Sequence, residues 1–365
     1  MNDRPASVKA QSILDSLVRA SKVPGIQYLV LDPHRTVFEF SGGWADIANQ
    51  RPMNFAATLM AYSMSKTITA AAVLQLVQAG ELKLDDTIDR YIDWHPYGPG
   101  ITIRQLISHT SGIPNPIPLA WVHSPVDHDR FDEHAELASV LRKHSKLAFP
   151  PGTKFKYSNI GYWLLGPIVE RVSGEAFTTF VRKNILAPLD IAAEELEYGI
   201  PDRINHAKGY LEKYSLMNVI KRFVIASKWV GHYEGRWLQI YDHFLNGPPF
   251  GGLVGTARGF GKFLQDQLRP HSKILDDPTR ELFYAPQQTS RGLTIPMSLG
   301  WHIKTLSGRP CFYKEGGGGG FHCMMRLYPE SEMASVMMTN ATMFDVRAWM
   351  DAVDPLFDTG EKETR

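Results

Sequence analysis

The chain has little cysteine, almost no net charge and no long apolar run. Its 365 residues include two cysteines, Cys311 and Cys323, which excludes a disulfide scaffold, is typical of a reducing compartment and predicts free thiols. The 39 basic and 38 acidic residues give a net charge of +1, so no overall field attracts nucleic acid or anionic lipid. No window reaches membrane-span length, and the N-terminus lacks a signal-peptide pattern. We therefore expect a cytoplasmic protein that acts on a small molecule, with no membrane or nucleic-acid partner.

The composition is that of a globular protein, with 44% hydrophobic and 21% charged residues, enough for a full core divided into two subdomains. Strand patterns occur towards both ends, and helical patterns fill most of the region between them. The predicted strands are 26–31, 36–40, 298–305, 310–313, 321–328 and 333–340. Further helices are predicted at about 8–21, 258–268 and 345–357.

This order of elements predicts an α+β fold. The simplest assembly is one antiparallel sheet built from both termini, residues 1–57 and 251–365, and flanked by helices. Residues 58–250 would form a mainly helical subdomain beside it. We expect the active site in the cleft between the two.

Ser63 and Lys66 stand three positions apart at the start of an apolar helical segment, 67–79. Helical i,i+3 spacing places the two side chains next to each other. A serine needs a base within hydrogen-bond reach to become a good nucleophile, and a buried lysine in that position supplies one. Taken alone, the pattern also fits a helix cap followed by a solvated lysine.

Tyr157 and Asn159 follow a turn at 150–153 and precede an apolar helix at 160–172. A tyrosine whose pKa is lowered by neighbouring ammonium groups can act as a general base and later as an acid. Asn159 is suited to hydrogen-bond both a lysine and a substrate carbonyl. The alternative is a tyrosine packed against the helix, with Asn159 as its cap.

Lys314 and Glu315 begin a stretch that continues with five glycines, between two strand patterns. Glycine lets a strand edge approach a ligand closely. The backbone N–H groups of Gly316 and Gly317 are therefore candidates for one half of an oxyanion hole, whose other half would be the N–H of Ser63. A flexible hairpin loop is the alternative, and the spacing excludes the known phosphate-binding loops.

The order of these motifs, S-x-x-K, Y-x-N and K-x-G, resembles the serine β-lactamase and penicillin-binding-protein superfamily. The Y-x-N form is similar to its class C branch, which includes family VIII carboxylesterases, D-amino-acid peptidases and the β-lactamases proper. The resemblance covers residues 8–357 and includes the stretches 101–113, 150–152, 251–253 and 299–301. It implies the β-lactamase/transpeptidase-like fold.

The resemblance also implies acyl transfer without a metal or cofactor. Ser63 would be the nucleophile, Lys66 and Tyr157 would share its proton, and Lys314 would hold the pKa of the tyrosine down. Asn159 would position Lys66 and the substrate.

His109 lies in the stretch Ser-His-Thr-Ser-Gly, which looks like a structural turn of the same family. A serine, a histidine and an acid would also suggest a catalytic triad. Because the serine, lysine and tyrosine already supply a base, we expect a structural role for His109.

Glu315 departs from the family pattern, in which Thr or Ser usually holds a substrate carboxylate. A carboxylate at that position repels an anion, which disfavours β-lactams and peptides with a free carboxylate. We therefore expect an esterase most similar to the family VIII enzymes. The alternatives are a D-amino-acid amidase or aminopeptidase, whose substrate amine pairs with Glu315, a β-lactamase or DD-peptidase, and a catalytically idle binding or assembly protein.

Two segments, 114–132 and 210–250, are expected to determine specificity. Their aromatic side chains are candidates to line an acyl pocket, or else belong to the core or to a dimer contact. These candidates are Trp121, Trp229, Tyr233, Trp237 and Tyr241. The sequence leaves open the physiological substrate and whether the chain forms homo-oligomers.

Overall fold

The computed structural model describes residues 4–117, 121–306 and 308–358. The strands in chain order are β1 Gly25–Leu31, β2 Thr36–Asp46, β3 Arg51–Pro52, β4 Leu59–Met60, β5 Val122–His123, β6 Leu196–Glu197, β7 Gly209–Glu212, β8 Val230–Glu234, β9 Trp237–Ile240, β10 Phe244–Leu245, β11 Val254–Gly255, β12 His302–Leu306, β13 Arg309–Gly318, β14 Phe321–Tyr328 and β15 Met333–Thr339.

The helices in chain order are α1 Arg4–Arg19, α2 Ser65–Gln78, α3 Ile103–Ile107, α4 Glu133–Lys143, α5 Asn159–Ser173, α6 Phe177–Val181, α7 Leu216–Val224, α8 Pro248–Gly251, α9 Ala257–Leu268, α10 Asp277–Tyr284 and α11 Val346–Val353. A short 3-10 turn, Tyr62–Met64, leads directly into α2. Within the described residues, no helix is long and apolar enough to cross a membrane.

Seven strands from the two ends of the chain form one antiparallel sheet in the order β12-β13-β14-β15-β1-β2-β3. Every residue of β1 and β15 is buried, because these strands lie in the middle of the sheet and helices cover both of its faces. The predicted α+β fold with an antiparallel sheet is confirmed.

The two faces of the sheet carry separate cores. Strand alternation directs Met324 to the core that α1 and α11 complete, and directs its neighbour Met325 to the core shared with α2 and α9. Helix α2 is apolar on almost all sides and therefore buried at the centre of the second core. Helix α5 packs against α2, begins at the Ser158 cap and ends at Gly174, whose φ is +73°.

The region from 58 to 250 contains α2 to α8 and also short strands that the sequence did not predict. It contains a three-stranded sheet in the order β7-β9-β8 and a short pair formed by β5 and β10. These strands have two to five residues each, which is too short for alternation to stand out in the sequence. The division into subdomains at 58 and 250 stays a prediction.

Strand boundaries differ at two places near the site. β12 begins at His302 rather than at 298, and β13 continues through the glycines to Gly318, well beyond the predicted end at 313. Pairing with β14 holds the glycines in the strand. The two buried cysteines are free, as predicted, and Cys323 of β14 lies opposite Gly316 of β13 in the sheet.

Candidate active site

The first turn of α2 presents Lys66 to Ser63 in the turn before it. Lys66 Nζ lies 3.0 Å from Ser63 Oγ, 2.7 Å from Asn159 Oδ1 and 2.5 Å from the carbonyl oxygen of Phe250. Burial, and then repulsion from Lys314, lower the pKa of Lys66 well below its ordinary value. In its neutral form Lys66 would have two N–H groups for the oxygens of Asn159 and Phe250, which leaves its lone pair for the proton of Ser63.

Tyr157 contacts Ser63 from the loop before α5. Its hydroxyl donates to Ser63 Oγ at 2.8 Å. Burial raises the pKa of Tyr157, and the hydrogen bond with Ser63 lowers it by less. The expectation that Lys314 holds this pKa down is therefore wrong: both lysines are buried as well, which disfavours their charged forms. In this arrangement Tyr157 is a proton donor, and Lys66 is the group with the properties of a base.

Lys314 lies behind Tyr157 on β13. Its amine is fully buried, and it has no hydrogen-bond partner in the part of the chain that the structure describes. Nζ lies 5.4 Å from the centroid of the Tyr157 ring and 5.7 Å from that of Tyr162. Burial lowers the pKa of Lys314 to about 7. Near neutral pH Lys314 is therefore close to its own titration midpoint, so both its protonated and its neutral form are present.

His109 forms hydrogen bonds with the residue before Tyr157 and with the residue after it, and so fixes the loop that carries the tyrosine. Its carbonyl accepts from the N–H of Lys156 at 2.9 Å, and its Nδ1 accepts from the N–H of Ser158 at 3.2 Å. The two rings of His109 and Tyr157 are 4.2 Å apart between centroids. Burial, and then the nearby lysines, lower the pKa of His109 well below its ordinary value, so Nδ1 stays an acceptor. His109 is a positioning residue in this geometry, with a backbone φ of +58°.

The glycines of β13 allow the strand to approach the Ser63 turn. A Cβ at Gly316 would lie 2.1 Å from the carbonyl oxygen of Ala61 and 3.0 Å from Ser63 N, and one at Gly318 would lie 2.4 Å from the Tyr62 ring. No other residue fits without moving the turn. This contact brings the backbone of β13 next to the N–H of Ser63, where the predicted oxyanion hole would be.

Tyr62 fixes the conformation of the turn from the other side. It adopts a φ of +45°, a left-handed conformation that costs a non-glycine residue about 1 kcal/mol or more. Its hydroxyl donates to Gly319 O at 2.6 Å and lies 3.1 Å from His243 Nε2. The side chain thus ties the residue before Ser63 to the end of β13.

Glu315 does not have the environment that was expected for a substrate-binding residue. Alternation along β13 directs it to the face of the sheet that packs against α11, opposite to Lys314 and Gly316. Its carboxylate accepts from His322 Nε2 at 2.8 Å and from Arg347 Nη2 at 2.7 Å. Burial raises its pKa, but these two hydrogen bonds and charges outweigh burial and lower it to about 2. Its charge is therefore compensated, and the argument that Glu315 repels carboxylate substrates is wrong.

A cavity of about 240 Å³ opens beside Ser63. Most of its wall is apolar, and none of the described residues that line it carries a carboxylate, guanidinium or ammonium group. The lining side chains and backbone come from Tyr62, Ser63, Ile117, Val122, Asn159, Ile225, Trp229, Ile240, His243, Leu245, Phe250 and Gly317 to Gly319. Burial lowers the pKa of His243, so this ring is neutral as well.

The sequence identified the residues around Ser63 but few of the residues that form the cavity. Of the five aromatic candidates, Trp229 lines it. Trp121 packs against Trp163 and Phe250, Trp237 lies in the core, and Tyr233 and Tyr241 are largely exposed. Residues 118–120 of the first predicted specificity segment lie outside the described residues. The aliphatic lining carries no sequence signal, because it comes from short segments that meet only in the folded chain.

Comparison with known proteins shows the family to which the chain belongs. The family model described as "Beta-lactamase" matches residues 10–352. The chain is 26% identical to penicillin-binding protein 4* of Bacillus subtilis (strain 168) over 315 residues, which cover 83% of this chain and 65% of that protein. It is 24% identical to the D-alanyl-D-alanine-carboxypeptidase/endopeptidase AmpH of Escherichia coli (strain K12) over 361 residues, which cover 94% of this chain and 86% of AmpH.

Solved structures share the fold. The D-amino acid amidase from Ochrobactrum anthropi SV3 complexed with D-phenylalanine superimposes with a TM-score of 0.78 at 22% identity, over 97% of each chain. The octameric penicillin-binding protein homologue from Pyrococcus abyssi gives 0.75 at 22% identity, over 97% of this chain and 78% of that one. The architecture is the β-lactamase/transpeptidase fold.

Proposed function

The chain belongs to the beta-lactamase family, a family of serine acyl-transfer hydrolases, and from this premise we propose that it cleaves small neutral esters through an acyl-enzyme on Ser63. This activity is similar to that of the family VIII carboxylesterases. The observation that carries the proposal is the position of Ser63. Its hydroxyl lies within hydrogen-bond distance of Lys66 and Tyr157, at the edge of an apolar cavity whose described lining residues carry no charged side chain.

The reaction has two steps. Neutral Lys66 takes the proton of Ser63 while Oγ attacks the ester carbonyl, and Tyr157 protonates the departing alcohol and regains its own proton from the lysine. In the second step Lys66 takes a proton from the water that attacks the acyl-enzyme, and Tyr157 protonates Ser63 Oγ as the carboxylic acid leaves and regains its proton from the lysine. In each step one proton moves from the attacking oxygen to the leaving oxygen through Lys66 and Tyr157, so the site ends in its starting state.

The negative charge that develops on the carbonyl oxygen requires backbone donors. We assign this role to the N–H groups of Ser63 and of Gly317, with Gly316 required for the close approach of the two segments. Lys314 keeps Tyr157 in place through its contact with the ring. Asn159 orients Lys66 by accepting one of its N–H groups.

The cavity supports an ester with an uncharged acyl group. A charged group would lose its hydration there without gaining an ion pair, which costs several kcal/mol. An apolar group gains roughly 25 cal/mol for each Å² that it removes from water. The wall formed by Ile117, Val122, Ile240 and Leu245 is therefore better suited to alkyl or aryl acyl groups than to a zwitterionic amino acid.

A second candidate is an amidase or peptidase that acts on D-amino acid derivatives. The names of AmpH and of the D-amino acid amidase favour it. The environment of Glu315 also removes the objection to substrates with a carboxylate, since Arg347 and His322 compensate its charge. A catalytically idle binding protein is a third hypothesis, which the intact set Ser63, Lys66 and Tyr157 disfavours.

The test is a comparison of kcat/KM for four substrates: p-nitrophenyl butyrate, D-phenylalanine amide, a peptide ending in D-Ala-D-Ala, and a chromogenic cephalosporin. We expect the ester to be preferred by about 100-fold or more, and the Ser63→Ala protein to be inactive on all four. Preference for the amide or the peptide would replace the esterase assignment with the second candidate. No turnover of any of them would favour the idle protein.

A further inference from the structure

The described residues carry their densest group of exposed large apolar side chains on and just before α7. Tyr214, Leu216 and Val219 are 72–77% exposed, and Ile220 is 36% exposed. Soluble surfaces rarely place such side chains next to one another without a partner. The group therefore marks an interaction surface, which we call the outer face of α7.

The outer face belongs to an ordered amphipathic helix. Leu216, Val219 and Ile220 have the i, i+3, i+4 spacing of one helical face. Met217 points the other way and packs against the core of the β7-β9-β8 sheet. The Ser215 side chain caps the helix by accepting from the N–H of Asn218 at 3.2 Å. The helix therefore has one apolar side packed on the protein and a second apolar side directed to solvent.

Basic side chains surround this face. Residues 212–236 contain five lysines and arginines and two acidic residues, whereas the whole chain has a net charge of only +1. Arg236 forms an ion pair with Glu212, so the lysines carry most of the local excess of positive charge. Lys213 Nζ lies 5.8 Å from the Tyr214 ring, and both Lys213 and Lys221 lie 5.5 Å from the Tyr233 ring. Acidic residues elsewhere in the chain balance these lysines and arginines, so the net charge of the whole chain does not indicate the local positive charge.

The outer face also adjoins the cavity beside Ser63. Ile225 follows α7 directly, Trp229 follows four residues later, and both line that cavity. Lys228, whose Nζ lies 4.9 Å from the Trp229 ring, extends the basic region to the same place. A surface bound to α7 would therefore lie close to the entrance of the site.

We propose that the outer face of α7 docks on an anionic lipid surface, with Leu216 and Val219 entering the interface and the neighbouring lysines contacting the headgroups. An exposed apolar stripe flanked by cations is the pattern of helices that lie in a membrane surface, where apolar burial and attraction to anionic lipid add together. A second copy of this chain is a poorer occupant. A two-fold symmetric contact brings the same patch of both copies together, so the basic groups would face one another.

The test is co-sedimentation of the full chain with vesicles of phosphatidylcholine alone or with an equal part of phosphatidylglycerol. Using the Ser63→Ala protein keeps lipid hydrolysis out of the measurement, so the result is independent of the proposed ester cleavage. The variant Leu216→Ser/Val219→Ser removes the apolar stripe. Val126→Ser/Leu293→Ser is the matched control, since these side chains are 77% and 65% exposed elsewhere on the chain. Lys213→Glu/Lys228→Glu tests the charge.

We expect binding to the anionic vesicles alone, weakened about tenfold by the α7 double variant and by the charge variant, and unchanged in the control. Absence of binding to either vesicle would overturn the proposal, as would equal binding by the α7 variant and its control. Light scattering of the same proteins tests the alternative that a second copy of this chain binds to the outer face of α7. A dimer that dissociates only in the α7 variant, without vesicle binding, would reassign this face to self-association and also overturn the proposal.

Discussion

Buried basic side chains lie on both faces of the central sheet, and the arginine on one face has different partners from the two lysines on the other. On the face covered by α11, Arg326 forms ion pairs with Asp354 at 3.1 Å and with Asp351 at 2.7 Å. Asp354 also accepts hydrogen bonds from the hydroxyls of Tyr28 and Tyr328. On the other face, Lys66 and Lys314 contact no carboxylate among the described residues.

The pKa values follow this difference. Burial lowers the pKa of Arg326, but Asp354 and the other neighbours outweigh burial and raise it above its ordinary value. The pKa values of Lys66 and Lys314 are lowered, with burial as the main cause. A buried cation with a carboxylate partner therefore stays charged and holds the fold together, whereas a buried lysine without one becomes an amine that can accept a proton. The following experiments test this contrast.

The largest effect is expected from Lys66→Met. Loss of the base should lower kcat for ester hydrolysis by about 10³-fold. The free energy of unfolding should fall by only about 1–3 kcal/mol, because the apolar side chain leaves the oxygens of Asn159 and Phe250 without their donor but leaves no buried charge unpaired. Steady-state kinetics and urea unfolding measure the two quantities. Lys273→Met, at an exposed ion pair, should leave both unchanged. A strongly destabilised Lys66→Met protein would mean that this lysine is charged and structural.

Arg326→Met should give the opposite result. Removing the guanidinium leaves Asp354 buried without its cation, which costs about 3–5 kcal/mol of stability. The site lies on the other face of the sheet, so kcat of the protein that remains folded should stay within about twofold of wild type. The exposed pair of Arg258 and Glu39 provides the control, since Arg258→Met should cost less than about 1 kcal/mol. If Arg326→Met lost kcat while its stability stayed unchanged, the distinction between a structural arginine and catalytic lysines would be refuted.

Two variants of His109 test whether this buried, neutral side chain positions Tyr157. In His109→Leu the N–H of Ser158 loses its acceptor, and kcat should fall by about 10- to 100-fold as Tyr157 moves. The variant His109→Asn offers an amide oxygen in place of Nδ1, and asparagine tolerates the positive φ, so most of the activity should return. Equal losses in the two variants would show that His109 acts by some means other than this hydrogen bond.

The smallest effect concerns the pH profile of Lys314→Met. The base must be neutral, so kcat/KM is lost as pH falls through the pKa of Lys66. Protonated Lys314 repels the ammonium form of Lys66 and lowers that pKa. Its removal should therefore raise the pKa of Lys66 and move the acidic limb of the profile to higher pH. A limb that stays in place or moves to lower pH would contradict this coupling.

The sequence predicted the groups whose chemistry depends on short spacing. Ser63 and Lys66 are one helical turn apart, and the positions of Tyr157 and Lys314 relative to strands and helices followed from the motifs and the family resemblance. Their pKa values could not be predicted, because burial depends on which helices cover the site. The expectation for Tyr157 therefore had the wrong sign. Glu315 was misjudged for a related reason: Arg347, its ion-pair partner, is 32 residues away in the chain.

The most direct measurement is intact-mass spectrometry of the wild-type and Ser63→Ala proteins after incubation with a fluorophosphonate. Our account predicts one covalent adduct on the wild type, located on Ser63 by peptide mapping, and none on the variant, because only a serine activated by a neighbouring base reacts at neutral pH. An adduct that persists in Ser63→Ala, or a folded wild type that stays unlabelled, would contradict the assignment of Ser63 as the nucleophile.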